Sequence, residues 1–266
     1  MTNKLVTEQA FKRLGLLSSS KILICRPEPS ATELSKALEA LGAQCKKLPM
    51  LKIDALEISA IERQHILDLD QYQHVIVVSQ HAADLGLEQI DHYWPQAPVG
   101  QKWYAIGRKT AEALNSTSLD IVSPGQDLSS EKLLENKDLK TVQDEKILIL
   151  KGKHGRQALQ SQLLARGAQV DSISLYQRSK PDYDQSILQQ SIDDFAPDFI
   201  ITLSGETLTN LLAHCSEHNI DLSDRSFILP SIRVANIAYE HGLKNTLISE
   251  NLMPMDIVKC IKKASL

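Results

Sequence analysis

No uninterrupted apolar run in this sequence is long enough to cross a bilayer, so no membrane-spanning helix is expected and the chain reads as soluble. There is no basic excess either: 29 Lys and Arg against 33 Asp and Glu give a formal charge of −4. A nucleic-acid binder normally carries a basic stripe to neutralise phosphates. Neither nucleic acid nor a membrane is therefore expected as a partner, and any anionic ligand must be met by local donors. Cys25, Cys45, Cys215 and Cys260 show no Cys-x-x-Cys spacing, which speaks against a disulfide framework or a zinc knuckle. Reduced thiols in a cytoplasmic compartment fit best. A Gly-x-Gly-x-x-Gly turn, a P-loop and a nucleophile elbow are also missing, so dinucleotide, P-loop and elbow-serine chemistry find no support. Residues 1–20 lack the apolar core and cleavage site of a signal peptide; they are expected to be an N-terminal appendage, either a short helix over Glu8–Leu16 or disorder.

What is present is a repeat. Lys21-Ile22-Leu23-Ile24 returns as Lys146-Ile147-Leu148-Ile149, and Gly42-Ala43-Gln44 as Gly167-Ala168-Gln169. The same shift of 125 residues carries Leu34 to Leu159, Leu38 to Leu163, and Val75–Ser79 to Ile200–Ser204. One spacing kept over so many segments indicates a duplication of strand and helix units. A length of 266 residues independently suits two domains.

Taken in order, Lys21–Cys25 reads as a buried strand, followed by a helix capped by Ser30 and Glu33 and ended by Gly42. Cys45–Ile53 reads as a strand whose Pro49 suits an edge or a connecting ribbon rather than a sheet interior. A helix over Ala60–Leu69 has a capping box in Ser59 and Glu62. Strand Val75–Val78 leads to a helix through about Leu87, with loop over His92–Gly100. A strand closing at Gly107 and a helix over Lys109–Leu114 follow, then a short strand at Asp120–Val122 and a helix over Glu131–Asn136 capped by Ser129 or Ser130. The second copy opens at Lys146. Its turn, Lys151-Gly152-Lys153-His154-Gly155-Arg156, offers no Ser, Thr, Asp or Asn cap, which leaves helix amides available. Strands at Val170–Tyr176, Phe199–Leu203, Ser226–Leu229 and Leu247–Ser249 then alternate with helices at Thr207–Ala213, Val234–Tyr239 and Met255–Lys263. Such alternation implies α/β parallel sheets.

Ligands of open α/β sheets bind beyond the carboxyl ends of the strands. Those ends carry Arg26, Ser79, Gly107, Lys151-Gly152, Ser204-Gly205 and Ser231, with Thr110, Gly155, Arg156 and Arg233 in or before the first helical turns. Helix amides and positive charge together make an anion-binding rim. Taken singly, Ser79, Ser204 and Ser231 are ordinary helix caps, the glycines ordinary turn residues, and Arg108, Arg156 and Arg233 solvated charges. His214 and His218 are spaced for a metal, but no third ligand is evident, so a solvated helix face is the simpler reading and no metal is expected.

At Arg26-Pro27, Ser79-Gln80-His81-Ala82, Ala105–Ala111, Lys151-Gly152-x-x-Gly155-Arg156, Leu175-Tyr176-Gln177-Arg178 and Ser204-Gly205-Glu206, the chain resembles the uroporphyrinogen-III synthase family, from about Lys21 onward. The resemblance implies two flavodoxin-like α/β lobes, each with a parallel sheet, joined by a two-stranded β-ribbon. Residues 21–47 and 178–266 would form one lobe and 53–171 the other, with 48–52 and 172–177 as the ribbon and a cleft between mobile lobes. It also implies a monomeric, cofactor-free hydro-lyase that cyclises hydroxymethylbilane with inversion of the last ring, in transient contact with the preceding pathway enzyme. Tyr176, on the return ribbon where the first copy has Leu51, would be the catalytic acid, because a phenol is a proton donor at neutral pH. Lys151 stands where the family usually has Arg, and Pro230-Ser231-Ile232-Arg233 replaces a glycine turn. The competing readings are a non-catalytic two-lobed binder of a polycarboxylate and a flavodoxin-like FMN carrier. The prolines of the first turn disfavour the carrier.

Overall fold

Interior parallel strands need apolar residues on both faces, and the repeated tetrapeptides supply them. The computed structural model describes residues 16–18, 20–115, 117, 119–122, 129–154, 157–249 and 251–264. Its first strand, β1, is Lys21–Ile24. Parity divides its side chains: Leu23, with Cys25 just beyond, joins one buried cluster, and Ile22 and Ile24 join another. The elements that follow are α1 (Ser30–Glu39), β2 (Gln44–Lys47), β3 (Lys52–Ala55), α2 (Ala60–Leu67), β4 (His74–Val77), α3 (Gln80–Tyr93), β5 (Lys102–Ala105) and α4 (Arg108–Asn115). Next come α5 (Ser130–Leu134), α6 (Lys137–Lys140), β6 (Lys146–Gly152), α7 (Gln157–Ala165), β7 (Gln169–Ser179) and α8 (Gln185–Gln189). The last are β8 (Phe199–Ile201), α9 (Gly205–Glu217), β9 (Ser226–Leu229), α10 (Ile232–Glu240), β10 (Thr246–Ile248) and α11 (Pro254–Ala264).

The chain divides into two units, one comprising residues up to Lys52 and from Ser179 onward, the other Ile53–Arg178. The first holds a parallel sheet in the order β10-β9-β8-β1-β2. The second has the order β3-β7-β6-β4-β5, with β7, β6, β4 and β5 parallel. Under the repeat shift β1 matches β6, β2 matches β7 and β4 matches β8. The run β8-β1-β2 in one sheet thus restates β4-β6-β7 in the other, and each sheet joins the opening strands of one copy to the later strands of the other. Even β10 has a counterpart, since Ile121 forms a parallel bridge to Trp103 at the edge of β5.

Several local expectations are corrected by the backbone. The Ser30–Glu33 box does not form, because α1 already begins at Ser30 and the Glu33 amide donates to the Pro29 carbonyl at 3.1 Å. The strand expected over Cys45–Ile53 breaks in two around Pro49, which has no amide to continue a ladder. Leu48 and Met50, flanking it, are buried in the first unit, and their amides reach the carbonyls of Ile24 and Cys25. Ser172–Gln177, expected as the return strand of the ribbon, is strand: it lies within β7, which neighbours β3 in the sheet order. Helix α3 runs on to Tyr93, past the expected loop start, and Asp120–Val122 shrinks to the single bridge. The appendage helix expected over Glu8–Leu16 lies outside the described residues except for Leu16. No helix among the described residues is long and apolar enough to cross a membrane.

Candidate functional site

In the second unit β4 runs out into Ser79, whose Oγ accepts the Ala82 amide at 3.1 Å and caps α3. Beside it, the pairing of β6 with β7 slips. Lys151 faces Ser174 but Gly152 faces Tyr176, so Leu175 is the extra residue of a bulge. The slip turns two consecutive side chains, Leu175 and Tyr176, into the same buried cluster, where strict alternation would part them. The Tyr176 ring then lies on Gly152. A Cβ at that glycine would stand 2.7 Å from ring Cζ and 2.8 Å from Cε2, so position 152 is the seat of the ring. The phenol oxygen lies 3.0 Å from Ser79 Oγ, and the Tyr176 carbonyl accepts the Lys153 amide at 2.8 Å.

Ser79, Gly152, Lys153, His154, Tyr176 and Arg178 line a pocket of about 310 Å³ at this carboxyl edge. His81, in the first turn of α3, meets the Tyr176 ring edge-on, with centroids 5.7 Å apart and planes at 67°. Burial holds the imidazole below its ordinary pKa, and Arg178 and Lys109 push the same way against Asp84. It therefore stands neutral at neutral pH beside the phenol. The pocket thus combines a hydroxyl pair with cationic side chains, and a neutral imidazole packs against the phenol ring, a donor-rich setting for an anionic molecule.

The other expected residues fall as follows. Gly107 takes φ +92°, which a side chain would strain. Thr110 is buried and its hydroxyl donates to the Ile106 carbonyl at 2.7 Å, so its proton is used within the start of α4. Lys151 is half-buried beside Gly152; Gly155 and Arg156 lie outside the described residues. In the first unit Arg26 follows β1, half-buried; burial lowers its pKa, which Glu33 opposes. Its Nε is buried without a partner, as are Thr202 Oγ1 just after β8 and Ser249 Oγ just after β10. Three unsatisfied polar atoms on the carboxyl edge of one sheet suit a place where a ligand or water completes the bonding. Ser204 caps α9 in a box with Thr207, and Gly205 is buried against Ile237. Ser231 stands at the start of α10 without a side-chain bond to it, and Arg233 is exposed.

Sequence reasoning did not single out His81, Arg178, Thr202 or Ser249. The first two sat inside motifs that drew notice for their neighbours, and the last two had only a strand-end position to mark them. A larger pocket of about 430 Å³ surrounds the hydrogen-bonded set of Tyr72, His65 and Asp171. It includes Lys146, the first residue of β6, and so lies toward the amino ends of the strands, away from the edge where such sheets bind ligands.

A family model described as uroporphyrinogen-III synthase HemD matches residues 32–259. The uroporphyrinogen-III synthase of Salmonella typhimurium is 30% identical over 233 residues, covering 86% of this chain and 95% of the relative. That of Escherichia coli is 29% identical over 246 residues, with the same coverage. Among solved structures, uroporphyrinogen-III synthetase from Helicobacter pylori matches at a TM-score of 0.57 and 16% identity, covering 92% of this chain and 98% of the other. A mutant uroporphyrinogen III synthase from Thermus thermophilus matches at 0.56 and 15%, covering 93% and 99%.

Proposed function

The chain belongs to the uroporphyrinogen-III synthase family, and from that premise we propose that it closes hydroxymethylbilane to uroporphyrinogen III. The reaction inverts the last ring and releases water, making the protein a cyclising hydro-lyase of heme biosynthesis with a small-molecule substrate. The observation that carries the site assignment is the 3.0 Å contact between the Tyr176 phenol and Ser79 at the pocket.

In this reading Tyr176 is the acid. Ser79 Oγ already accepts the Ala82 amide, and its own proton can go to the phenol oxygen. The phenol O–H is then left for a molecule in the pocket. Passing that proton to the substrate hydroxyl lets it depart as water, while the adjacent pyrrole nitrogen supplies the electron pair that replaces the broken C–O bond; the N–H proton of the resulting azafulvenium then returns to the phenolate, leaving the neutral azafulvene and Tyr176 as it began. A neutral His81 beside the ring adds no charge that would compete with the substrate. Lys151, Gly152, Arg178 and His154, with Gly107, Gly155 and Arg156, would serve carboxylates of the bilane. Holding the chain ends together supplies the remainder of the rate.

The test is incubation with hydroxymethylbilane and separation of the isomers, because spontaneous closure gives isomer I and only an enzyme gives isomer III. Tyr176→Phe should lower turnover by at least ~10²-fold, the lower end of what a positioned acid contributes, with little change in melting temperature. A variant with wild-type turnover that still makes only isomer III would make Tyr176 a structural residue.

A further inference from the structure

The last turn of α9 carries a cluster that the reaction does not use. His214 is 2% exposed, and its Nε2 lies 2.9 Å from the Pro181 carbonyl. A carbonyl can only accept, so Nε2 donates to it and Nδ1 is the ring nitrogen left for another partner. That Nδ1 is buried and has no hydrogen-bond partner. Glu217 Oε2 lies 3.8 Å from it, one turn along the helix. His218 completes the set, and one ligand atom from each of the three lies within 4.8 Å of the others. Residues at i, i+3 and i+4 share a helix face, and the carboxyl end of a helix favours positive charge.

We propose that His214 Nδ1, the Glu217 carboxylate and His218 form a binding site for a divalent transition metal, Zn²⁺ being the natural occupant. Two imidazoles and one carboxylate are ligands that suit zinc, copper or nickel over magnesium or calcium. A hydrogen bond from the non-ligating imidazole nitrogen to a carbonyl is the usual support of a metal-bound histidine, and Pro181 provides it here. Two ligands bound tetrahedrally at ~2.1 Å stand roughly 3.4 Å apart, so the 3.8 Å between Nδ1 and Oε2 needs only a small contraction. Solvent supplies the fourth position. The sequence suggests the two histidines by their spacing but no third ligand. What it could not show is the buried, unpartnered nitrogen.

Glu217 currently holds another cation, Lys180, whose Nζ is 3.0 Å from Oε1 and 3.3 Å from Oε2. Lysine and metal must compete for that carboxylate, which gives the site a distinctive test. Zn²⁺ titrated calorimetrically into the full chain should bind at one equivalent, and Mg²⁺ should produce no comparable heat. Loss of even a supporting contact typically costs 10–100-fold in metal affinity, so Glu217→Gln, at an exposed residue, and His218→Ala, at a half-buried one, should each weaken binding at least ~10-fold. Lys180→Met should tighten it. Zn²⁺ affinity unchanged in Glu217→Gln and His218→Ala would place the ion on the thiols or elsewhere and overturn the assignment. Unchanged or weaker binding by Lys180→Met would do the same.

Discussion

A single Cβ at position 152 would drive into the Tyr176 ring, 2.7 Å from its nearest atom, and that ring belongs to a buried cluster. Overpacking of this kind costs ~1–3 kcal/mol, and the ring can yield only by leaving Ser79. Gly152→Ala should therefore lower both the melting temperature and the turnover, measured by thermal unfolding and by isomer III formation. Loss of stability with turnover intact would detach the seat from the chemistry. At this scale the sequence was informative about residue identity and poor about contact. Ser79, Gly152 and Tyr176 were each visible as candidates, but their meeting depends on a register slip that no alternation pattern encodes. Thr110 shows the converse: its place in the first turn suggested a free donor, and burial turned its hydroxyl onto the Ile106 carbonyl.

Helix α2 shows what an element draws from one side chain. Glu62 closes the capping box with Ser59, and its Oε1 also accepts the Ser174 amide of β7 at 2.8 Å, tying helix to sheet. Burial raises its pKa. Hydrogen bonds from the Ser174 amide and from the Ser59 amide and hydroxyl outweigh that, with His65 assisting, and the net shift is downward. A carboxylate depressed on folding adds stability above its unfolded pKa of about 4.3 and loses it as pH falls through the folded value. Glu62→Gln should cost about 1 kcal/mol at pH 7, in the range of a lost cap, and progressively less below about pH 4. Urea unfolding at both pH values checks this; a penalty that does not shrink in acid would mean the charge is irrelevant. The box at Ser59 was legible because its partners are three residues apart. The one expected at Ser30 was not realised, since the helix starts one residue earlier and the Glu33 amide donates to the Pro29 carbonyl instead.

At the scale of the whole chain, each unit keeps its own buried clusters: those of the second lie wholly between Ile66 and Tyr176. The segment Ile53–Arg178, expressed alone, should then unfold cooperatively, as a domain with a core of its own does. Thermal unfolding with a broad, non-cooperative transition would show that it needs the rest of the chain. The sequence by itself determined the strand and helix alternation, the duplication and the carboxyl-edge residues, because apolar periodicity and turn chemistry act over a few residues and survive in one dimension. That each sheet takes its opening strands from one copy and its later strands from the other is, on the side of the sequence, only what the family resemblance implies, and it is the sheet order that carries it. Tertiary structure alone decided that a bulge at Gly152 turns Tyr176 onto Ser79, and that one nitrogen of His214 is buried without a partner. Those outcomes depend on which distant strand supplies the neighbouring hydrogen bonds and on which side chains exclude water, and such long-range choices leave no local trace in the order of residues.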